Sequence, residues 1–248
     1  MSVHAVLFDL GHTLWDVRYN EALAPTIYRR VHRRLTRAVA GPLPSAERLR
    51  EAITKHWIEE EVDVIRNKRL DQRPAEDILA EGLATLGLEV PQHVLDRITD
   101  DILSPDIWGL YLEADTLGTL RALKERGLKL GVVSNTYQRG QVLSEQLAQS
   151  GALPYIDVAV FSSEMGLRKP HPSLFQTPLA ELGVAPQEAV FVGDSPEDDI
   201  RGAQAVGMRA VLTRQYRQPP VEGVTPDRII WLLPEVIEYI DSLNSHRG

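Results

Sequence analysis

Asp9 follows a short apolar run, residues 3–8, and this position makes its carboxylate a candidate for a chemical role. The run predicts a buried strand. An open parallel sheet binds its ligands just beyond the carboxyl ends of its strands, so we expect Asp9 at a ligand-binding edge. A carboxylate there can coordinate a divalent cation or attack an electrophilic atom. Taken alone, such an aspartate more often caps a turn, so the inference depends on which other groups reach the same edge.

Three later segments carry groups of complementary chemistry: Ser134 and Asn135, then Lys169, then Asp194 and Asp199. The first pair follows the apolar run 128–133 and the last pair follows the run 189–192. Each of these runs predicts a strand that gives way to a helix, whose free N–H groups bind anions. Together the segments supply a nucleophile, a hydroxyl and an amide, a cation, and carboxylates for a metal. Phosphoryl transfer needs this combination, because it depends on positioning and on charge neutralisation.

In this order, the four segments resemble the motifs of the haloacid dehalogenase-like (HAD) hydrolase superfamily. The resemblance covers nearly the whole chain and is loosest in the helices between the first and second motifs. It implies that Asp9 is the nucleophile and a magnesium ligand. It also implies that Ser134 and Asn135 bind the transferring phosphoryl group, and that Lys169 neutralises charge between Asp9 and the phosphate.

The first motif departs from the usual pattern of the family at Gly11. Most phosphatases of the family carry Asp-x-Asp, and the second Asp protonates the leaving group. Gly11 retains only a backbone carbonyl, which the resemblance assigns to Mg²⁺ together with Asp9 and Asp194, and with Asp199 as a further ligand or as the residue that orients a water. The missing general acid is typically worth roughly 100- to 10,000-fold in rate. His12 could donate a proton instead, although we favour a structural role for its side chain.

Three functions therefore stay open. We expect a magnesium-dependent phosphatase that acts on a small phosphorylated metabolite through an aspartyl-phosphate intermediate. The alternatives are a phosphonate-cleaving or dehalogenase-type enzyme of the family, or a non-catalytic protein that binds a phosphorylated metabolite. Dehalogenases of the family do not keep the metal carboxylates, whereas this chain has Asp194 and Asp199. Phosphonate cleavage requires a Schiff-base lysine, for which Lys55 and Lys68 are candidates only by location.

Composition narrows the partners. The net charge of −8 argues against a general nucleic-acid binder, and the absence of cysteine excludes disulfides and thiol catalysis. No apolar run approaches the roughly 20 residues of a membrane helix, and the chain enters its first strand without room for a signal peptide. We therefore expect a cytoplasmic protein with a small-molecule substrate and no membrane or nucleic-acid partner. The sequence does not indicate an oligomeric state.

The pattern of elements predicts an α/β fold, a doubly wound, Rossmann-like parallel sheet with an inserted all-helical cap. Strand-like and helix-like segments alternate from residue 110 onward, and such alternation implies parallel strands joined by right-handed crossovers. Between the first and second motifs, apolar residues instead recur at helical spacing in four successive stretches. We therefore predict a core formed by residues 1–15 and 110–248, and a cap formed by residues 16–109.

The first predicted cap helix is rich in arginine, at positions 29, 30, 33, 34 and 37. These arginines could form an electropositive surface that attracts an anionic substrate. A solvated helix face, balanced by the acidic run of residues 59–63, is the interpretation we favour.

Overall fold

The structure, a computed structural model, describes residues 2–245, without the side chain of Ala114. The chain forms two compact units. Residues 1–17 and 110–248 form the first, here called the sheet unit, and residues 18–109 form the second, here called the helical unit. Within the described residues, no helix has the length and apolar character needed to cross a membrane.

The sequence folds into eight strands and ten α-helices within the described residues, together with a π-helical turn at Pro196–Arg201. The strands are β1 (Ala5–Phe8), β2 (Asp16–Tyr19), β3 (Trp108–Tyr111), β4 (Lys129–Ser134), β5 (Val158–Phe161), β6 (Ala189–Gly193), β7 (Arg209–Thr213) and β8 (Arg228–Ile230). The helices are α1 (Ala24–Ala38), α2 (Ala46–Asn67), α3 (Ala75–Ala84), α4 (Gln92–Ile102), α5 (Ala114–Glu125), α6 (Gly140–Gln149), α7 (Ser162–Met165), α8 (Ser173–Leu182), α9 (Gly202–Ala205) and α10 (Glu235–Ser245).

Six of the strands form one sheet in the order β5-β4-β1-β6-β7-β8. Every neighbouring pair in it is parallel, so the predicted α/β class is confirmed. From β1 the chain proceeds to β4 on one side, and it later returns to β6 on the other side. The connections after β1 and β6 thus leave in opposite directions, which opens a crevice between the carboxyl ends of these two strands.

Both faces of this sheet are buried, as the apolar strands predict. Alternate residues of β1 point to opposite faces, so Val6 and Phe8 join one hydrophobic cluster while Ala5 and Leu7 join the other. All four side chains are fully buried. The central strand is therefore held rigidly from both sides, and this fixes the position of the residue that follows it.

The helical unit has a hydrophobic core of its own. The stripe formed by Ile27, Val31 and Leu35 on α1 is buried in it, as the helical spacing predicts. The structure differs from the sequence pattern in the last turns of α2, where Val62 and Ile65 are exposed although their spacing suggested a buried face. The buried positions along that part of α2 are Glu60 and Val64.

Three local features are not evident from periodicity. The strands β2 and β3, which contain the boundaries between the two units, pair as a separate two-stranded sheet. The short helix α7 begins directly after β5. The helical segment that follows β6 begins as the π-helical turn and continues as α9.

Candidate active site

Asp9, Ser134 and Asp194 lie together at the carboxyl edge of the sheet. Asp9 follows β1, and its backbone N–H donates to the carbonyl oxygen of Val192 at 2.9 Å, so the strand pairing continues through this residue. Ser134 is the last residue of β4, and Asp194 directly follows β6. All three side chains are buried. The two aspartates therefore border the crevice in which open α/β sheets bind ligands.

Lys169 joins two of the carboxylates. Its Nζ lies 2.6 Å from Asp9 Oδ1, 2.6 Å from Asp199 Oδ1, and 3.0 Å from the carbonyl oxygen of Val133. An ammonium group has three protons to donate, so these three bonds use its full capacity. The side chain is only 2 % exposed, and bonds of this kind between buried charged groups are stronger than those between neutral groups.

Asn135 holds the backbone of Lys169. Its Oδ1 accepts the backbone N–H of Lys169 at 2.7 Å, and its Nδ2 donates to the Lys169 carbonyl at 3.2 Å. One of the two protons on Nδ2 is free of these bonds and Asn135 lines the site cavity, so its role in phosphoryl binding stays a prediction. Ser134 Oγ lies 3.5 Å from the Asn135 carbonyl oxygen, at the limit for a hydrogen bond, which leaves the hydroxyl available to a ligand.

Asp199 is fixed from two sides. Its Oδ1 binds Lys169, and its Oδ2 accepts the backbone N–H of Ser195 at 2.9 Å. A Cβ atom at Gly193 would lie 2.3 Å from Asp199 Oδ2, so this close approach requires glycine. The expected role of Asp199, as a metal ligand or as the residue that orients a water, must be carried out by a carboxylate that already has these partners.

Arg217 is a site residue that the sequence analysis did not identify. It lies in the loop between β7 and β8, and its Nε donates to Asp194 Oδ2. The surrounding sequence, Gln-Tyr-Arg-Gln-Pro-Pro, contains no motif that would have singled it out. Asp198 also lines the site cavity. It was visible in the acidic run after Gly193, but nothing in that run separated it from its neighbours.

Burial shapes the ionisation of these groups. Burial, reinforced by Asp199, raises the pKa of Asp9 to about 6 against the lowering effect of Lys169. Burial and Asp199 likewise raise the pKa of Asp198 to about 6. Burial alone would lower the pKa of Lys169, but Asp199 and Asp9 raise it well above its usual range. Lys169 therefore stays protonated. The carboxylates around it outnumber the positively charged groups that could stabilise them.

The carboxylates suit a hard divalent cation. Oxygen atoms of Asp9, Asp194 and Asp199 all lie within 4.8 Å of one another, and the three residues are buried. Magnesium prefers oxygen ligands and is bound through few protein carboxylates. The donor set therefore fits Mg²⁺.

The site cavity has a volume of about 170 Å³ and is lined by Asp9, Gly11, His12, Ser134, Asn135, Lys169, Asp194, Ser195, Asp198, Asp199 and Arg217. His12 has a left-handed backbone with φ of 57°, and its Nδ1 lies 3.1 Å from Asp16 Oδ1. This contact gives the His12 ring the structural partner that we favoured.

A larger cavity of about 450 Å³ lies within the helical unit. Its walls are mostly apolar and include Tyr28, Trp57 and Trp108. Its charged groups include the exposed Glu21, paired with Arg50, rather than buried carboxylates around a buried cation. We therefore assign the chemistry to the smaller cavity, although large apolar cavities are the usual ligand sites.

The lysines and arginines of the helical unit that could contact a substrate have structural partners or face solvent. Lys55 and Lys68 are exposed, and neither has the burial that activates a Schiff-base lysine. Arg30 and Arg34 bind Asp101, a residue of α4. The expected balance of charge is therefore present, but its partner is not the acidic run of residues 59–63.

The chain matches the sequence profile of the haloacid dehalogenase-like hydrolases over residues 3–207. The phosphoglycolate phosphatase of Shigella sonnei is 30% identical over 230 residues, which are 86% of this chain and 82% of that protein. The phosphoserine phosphatase of Thermus thermophilus is 37% identical over 51% of this chain. The chain spans about half the length of several curated relatives that it matches, 49% in this case.

Two solved structures cover almost the whole fold. A HAD phosphatase from Thermococcus onnurineus has a TM-score of 0.64 and 26% identity, and the match covers 96% of this chain and 98% of that one. A 2-haloacid dehalogenase from Pseudomonas syringae pv. Tomato has a TM-score of 0.66 and 26% identity, over 97% and 99% of the two chains. Fold similarity therefore does not separate the two chemistries. The chain belongs to the haloacid dehalogenase-like hydrolase family.

Proposed function

We propose that this hydrolase is a magnesium-dependent phosphatase of a small phosphorylated metabolite. The observation that carries the proposal is the surplus of buried carboxylates at the sheet edge. Lys169 binds Asp9 and Asp199, and Arg217 binds Asp194, so three buried carboxylates share two cations beside an open cavity. Such a cluster needs a further cation, whereas a dehalogenase that works without metal carboxylates does not. The phosphatase names of the relatives in Shigella sonnei and Thermus thermophilus support the same conclusion.

The proposed reaction has two displacement steps. In the first, a carboxylate oxygen of Asp9 attacks phosphorus, the bond to the substrate oxygen breaks, and an aspartyl phosphate forms. In the second, water attacks phosphorus, the Asp9–phosphorus bond breaks, and inorganic phosphate leaves. Mg²⁺ bound by Asp9, Asp194, Asp199 and the Gly11 carbonyl would stabilise the negative charge of the phosphoryl oxygens.

The residues of the chain prepare Asp9 for this attack. Lys169 binds Asp9 Oδ1 at 2.6 Å and offsets the cost of keeping that carboxylate ionised in a buried site. Asn135 fixes the Lys169 backbone and thus the position of the ammonium group. The Ser134 hydroxyl, at the end of β4, lies in the cavity wall where it can donate to a phosphoryl oxygen. We assign the helical unit as the cap domain that the family carries.

The source of the leaving-group proton narrows the substrate. Gly11 has no side chain to donate one, and His12 contacts Asp16 through Nδ1, which leaves only its Nε2 for this task. Substrates that depart as stable anions need no such proton, so we expect activated esters to react much faster than simple alkyl phosphates.

The decisive experiment measures phosphate release with Mg²⁺ from an aryl phosphate and from a panel of sugar and nucleotide phosphates. Wild type, Asp9→Asn and Lys169→Ala are compared, and the binding of beryllium fluoride, which imitates a phosphoryl group on a carboxylate, is measured for each. We expect both activity and fluoride binding only when Asp9 is present. Phosphate release that survives in Asp9→Asn would rule out the covalent mechanism. Ligand binding without turnover in the wild type would favour the non-catalytic alternative, and halide release from 2-haloacids would favour the dehalogenase.

A further inference from the structure

Arg217 occupies the side of the cluster that Lys169 does not reach. The three protons of Lys169 are taken by Asp9, Asp199 and the Val133 carbonyl. Asp194, whose side chain is 3 % exposed, receives its charged partner from Arg217 instead. The Arg217 side chain is 51 % exposed, so a guanidinium group reaches from the solvent to a buried carboxylate of the proposed metal site.

The loop that carries Arg217 is anchored close to this residue. The Arg214 N–H donates to the Ile230 carbonyl at 2.8 Å, and Gln215 Oε1 accepts the Leu233 N–H at 2.6 Å. The Arg214 guanidinium also stacks 5.6 Å from the centre of the Trp231 ring. These contacts fix the loop two and three residues before Arg217 and so hold the backbone of Arg217 within reach of Asp194.

A guanidinium group and a divalent cation compete for the same carboxylate oxygen. Arginine stays charged at any physiological pH and only donates hydrogen bonds, so it cannot become a ligand of the metal. A divalent cation that binds Asp194 comes close to the Arg217 guanidinium, and repulsion between these like charges drives Arg217 away from the carboxylate. Its partial exposure gives the displaced guanidinium a route into solvent.

We propose that Arg217 is an internal competitor of Mg²⁺ at Asp194. The inference rests on the proposed function, because that function assigns the cation to this cluster. Without metal, Arg217 supplies positive charge to a cluster with surplus carboxylates. With metal, repulsion by the cation weakens the Arg217–Asp194 pair, and the energy lost from that pair is subtracted from the affinity. Arg217 thus weakens magnesium binding and sets the concentration of free magnesium at which the site fills.

The test is a calorimetric titration of the full chain with Mg²⁺ alone, at constant pH and ionic strength and without substrate. Arg217→Gln should bind Mg²⁺ about tenfold more tightly than wild type, since a hydrogen bond to a charged group contributes enough to change an equilibrium by that factor. Arg217→Lys keeps the charge and should fall between the two. Arg126→Gln, which removes a guanidinium that binds Asp241 instead, should leave the affinity within about twofold of wild type.

Thermal unfolding gives an independent readout that needs no turnover. Without Mg²⁺, Arg217→Gln should melt below wild type, because its cluster has lost a compensating charge. Saturating Mg²⁺ should raise the melting temperature of Arg217→Gln more than that of wild type and bring the two together. A melting temperature of Arg217→Gln that does not depend more strongly on Mg²⁺ would count against the competition.

The titration also separates this inference from the proposed function. Equal or weaker Mg²⁺ binding by Arg217→Gln, with binding lost in Asp194→Asn, would overturn the competition while the metal site stands. Absence of Mg²⁺ binding in wild type and in Arg217→Gln would overturn both. Binding that appears only in Arg217→Gln would be the strongest support, because it would mean that the arginine prevents filling altogether.

Discussion

Buried carboxylates occur in both units, but their surroundings differ in the balance of charge. In the helical unit, Asp101 binds Arg30 and Arg34 at 3.2 and 2.5 Å, so two cations serve one carboxylate. Glu60 in α2 has the same arrangement with two further arginines, at 3.2 and 3.0 Å. In the sheet unit the ratio is reversed, because three buried carboxylates share the ammonium of Lys169 and the guanidinium of Arg217.

This reversal distinguishes a structural ion pair from a binding site. The negative charge of a carboxylate between two arginines is already neutralised, so the carboxylate does not attract a further cation. A cluster with fewer cations than carboxylates is destabilised by repulsion between its negative charges. A bound cation relieves this repulsion, so the cluster favours a ligand of opposite charge. Burial alone therefore does not mark function in this chain. The sign of the uncompensated charge beside a cavity does.

The largest expected difference between the two regions is in catalysis. Asp9→Asn and Asp101→Asn are matched changes, since each replaces a buried carboxylate by an amide of the same size. We expect Asp9→Asn to reduce phosphate release by at least about 1,000-fold, because the nucleophile is lost, which corresponds to about 4 kcal/mol. Asp101→Asn should keep turnover per folded molecule within about threefold of wild type. Steady-state assays of both variants on an aryl phosphate decide the point, and a comparable loss in Asp101→Asn would contradict the division.

Stability should show the opposite order. Asp101→Asn leaves two arginine side chains beside an uncharged amide, and breaking a buried ion pair in this way costs about 3 kcal/mol. The 40 % exposure of the Arg30 side chain limits this cost, because that guanidinium can turn to solvent. Urea denaturation of the metal-free protein measures the effect. The distinction fails if Asp101→Asn is as stable as wild type, since the pair would then be dispensable.

Asp9→Asn should instead stabilise the metal-free protein at neutral pH. The pKa of Asp9 is raised from 3.8 to about 6 in the folded state, so between these values the folded protein holds a proton that the unfolded chain has released. The stability of wild type therefore falls as pH rises through this window, and the ionised carboxylate costs about 3 kcal/mol above it.

The pH dependence provides the control for this stabilisation. Asn carries no titrating group, so the gain of Asp9→Asn over wild type should vanish near pH 4 and reach its full value above pH 6. Urea denaturation of both proteins at a series of pH values, with a chelator present, gives the difference directly. A gain that does not change with pH would show that burial of the Asp9 charge is not its cause.

The part of the site that could be predicted from the sequence is the part carried by the strand ends. Asp9, Ser134 and Asp194 were predictable, because each ends an apolar strand and parallel strands deliver their ends to one edge. The six-stranded sheet was predictable for the same reason. Arg217 was not, since its loop follows β7 without periodicity and its partner is 23 residues away in sequence.

The partners of charged residues were the least predictable feature. The arginines of α1 were expected to be balanced by the acidic run in α2, but Arg30 and Arg34 bind Asp101, about 70 residues further along the chain. Glu60 of the acidic run is bound instead by Arg69 and Arg73, which follow α2. Charge patterns in sequence give the sum of the charges, whereas pairing depends on helix packing that no local pattern encodes.

The smallest expected effect comes from adding a carboxylate to the cluster that already has a surplus. Gly11→Asp restores the Asp-x-Asp pattern, and the structure has room for it. A Cβ atom at Gly11 would meet its nearest neighbour, Val17 Cγ2, at 3.7 Å, an ordinary contact. The backbone φ of Gly11 is also not positive, so an aspartate can adopt the same backbone conformation without strain.

We expect Gly11→Asp to raise turnover on alkyl phosphates by about tenfold and to leave an aryl phosphate nearly unchanged, because a general acid helps poor leaving groups most. Gly11→Asn is the matched control, since it has the same size and no acidic proton, and it should give no gain on either ester. A rise in Gly11→Asn equal to that in Gly11→Asp would mean that the side chain orders the loop rather than donating a proton. A folded Gly11→Asp variant without any gain in turnover on alkyl phosphates would show that the added carboxyl group does not act as a general acid. The site would then not gain a proton donor from a further carboxylate.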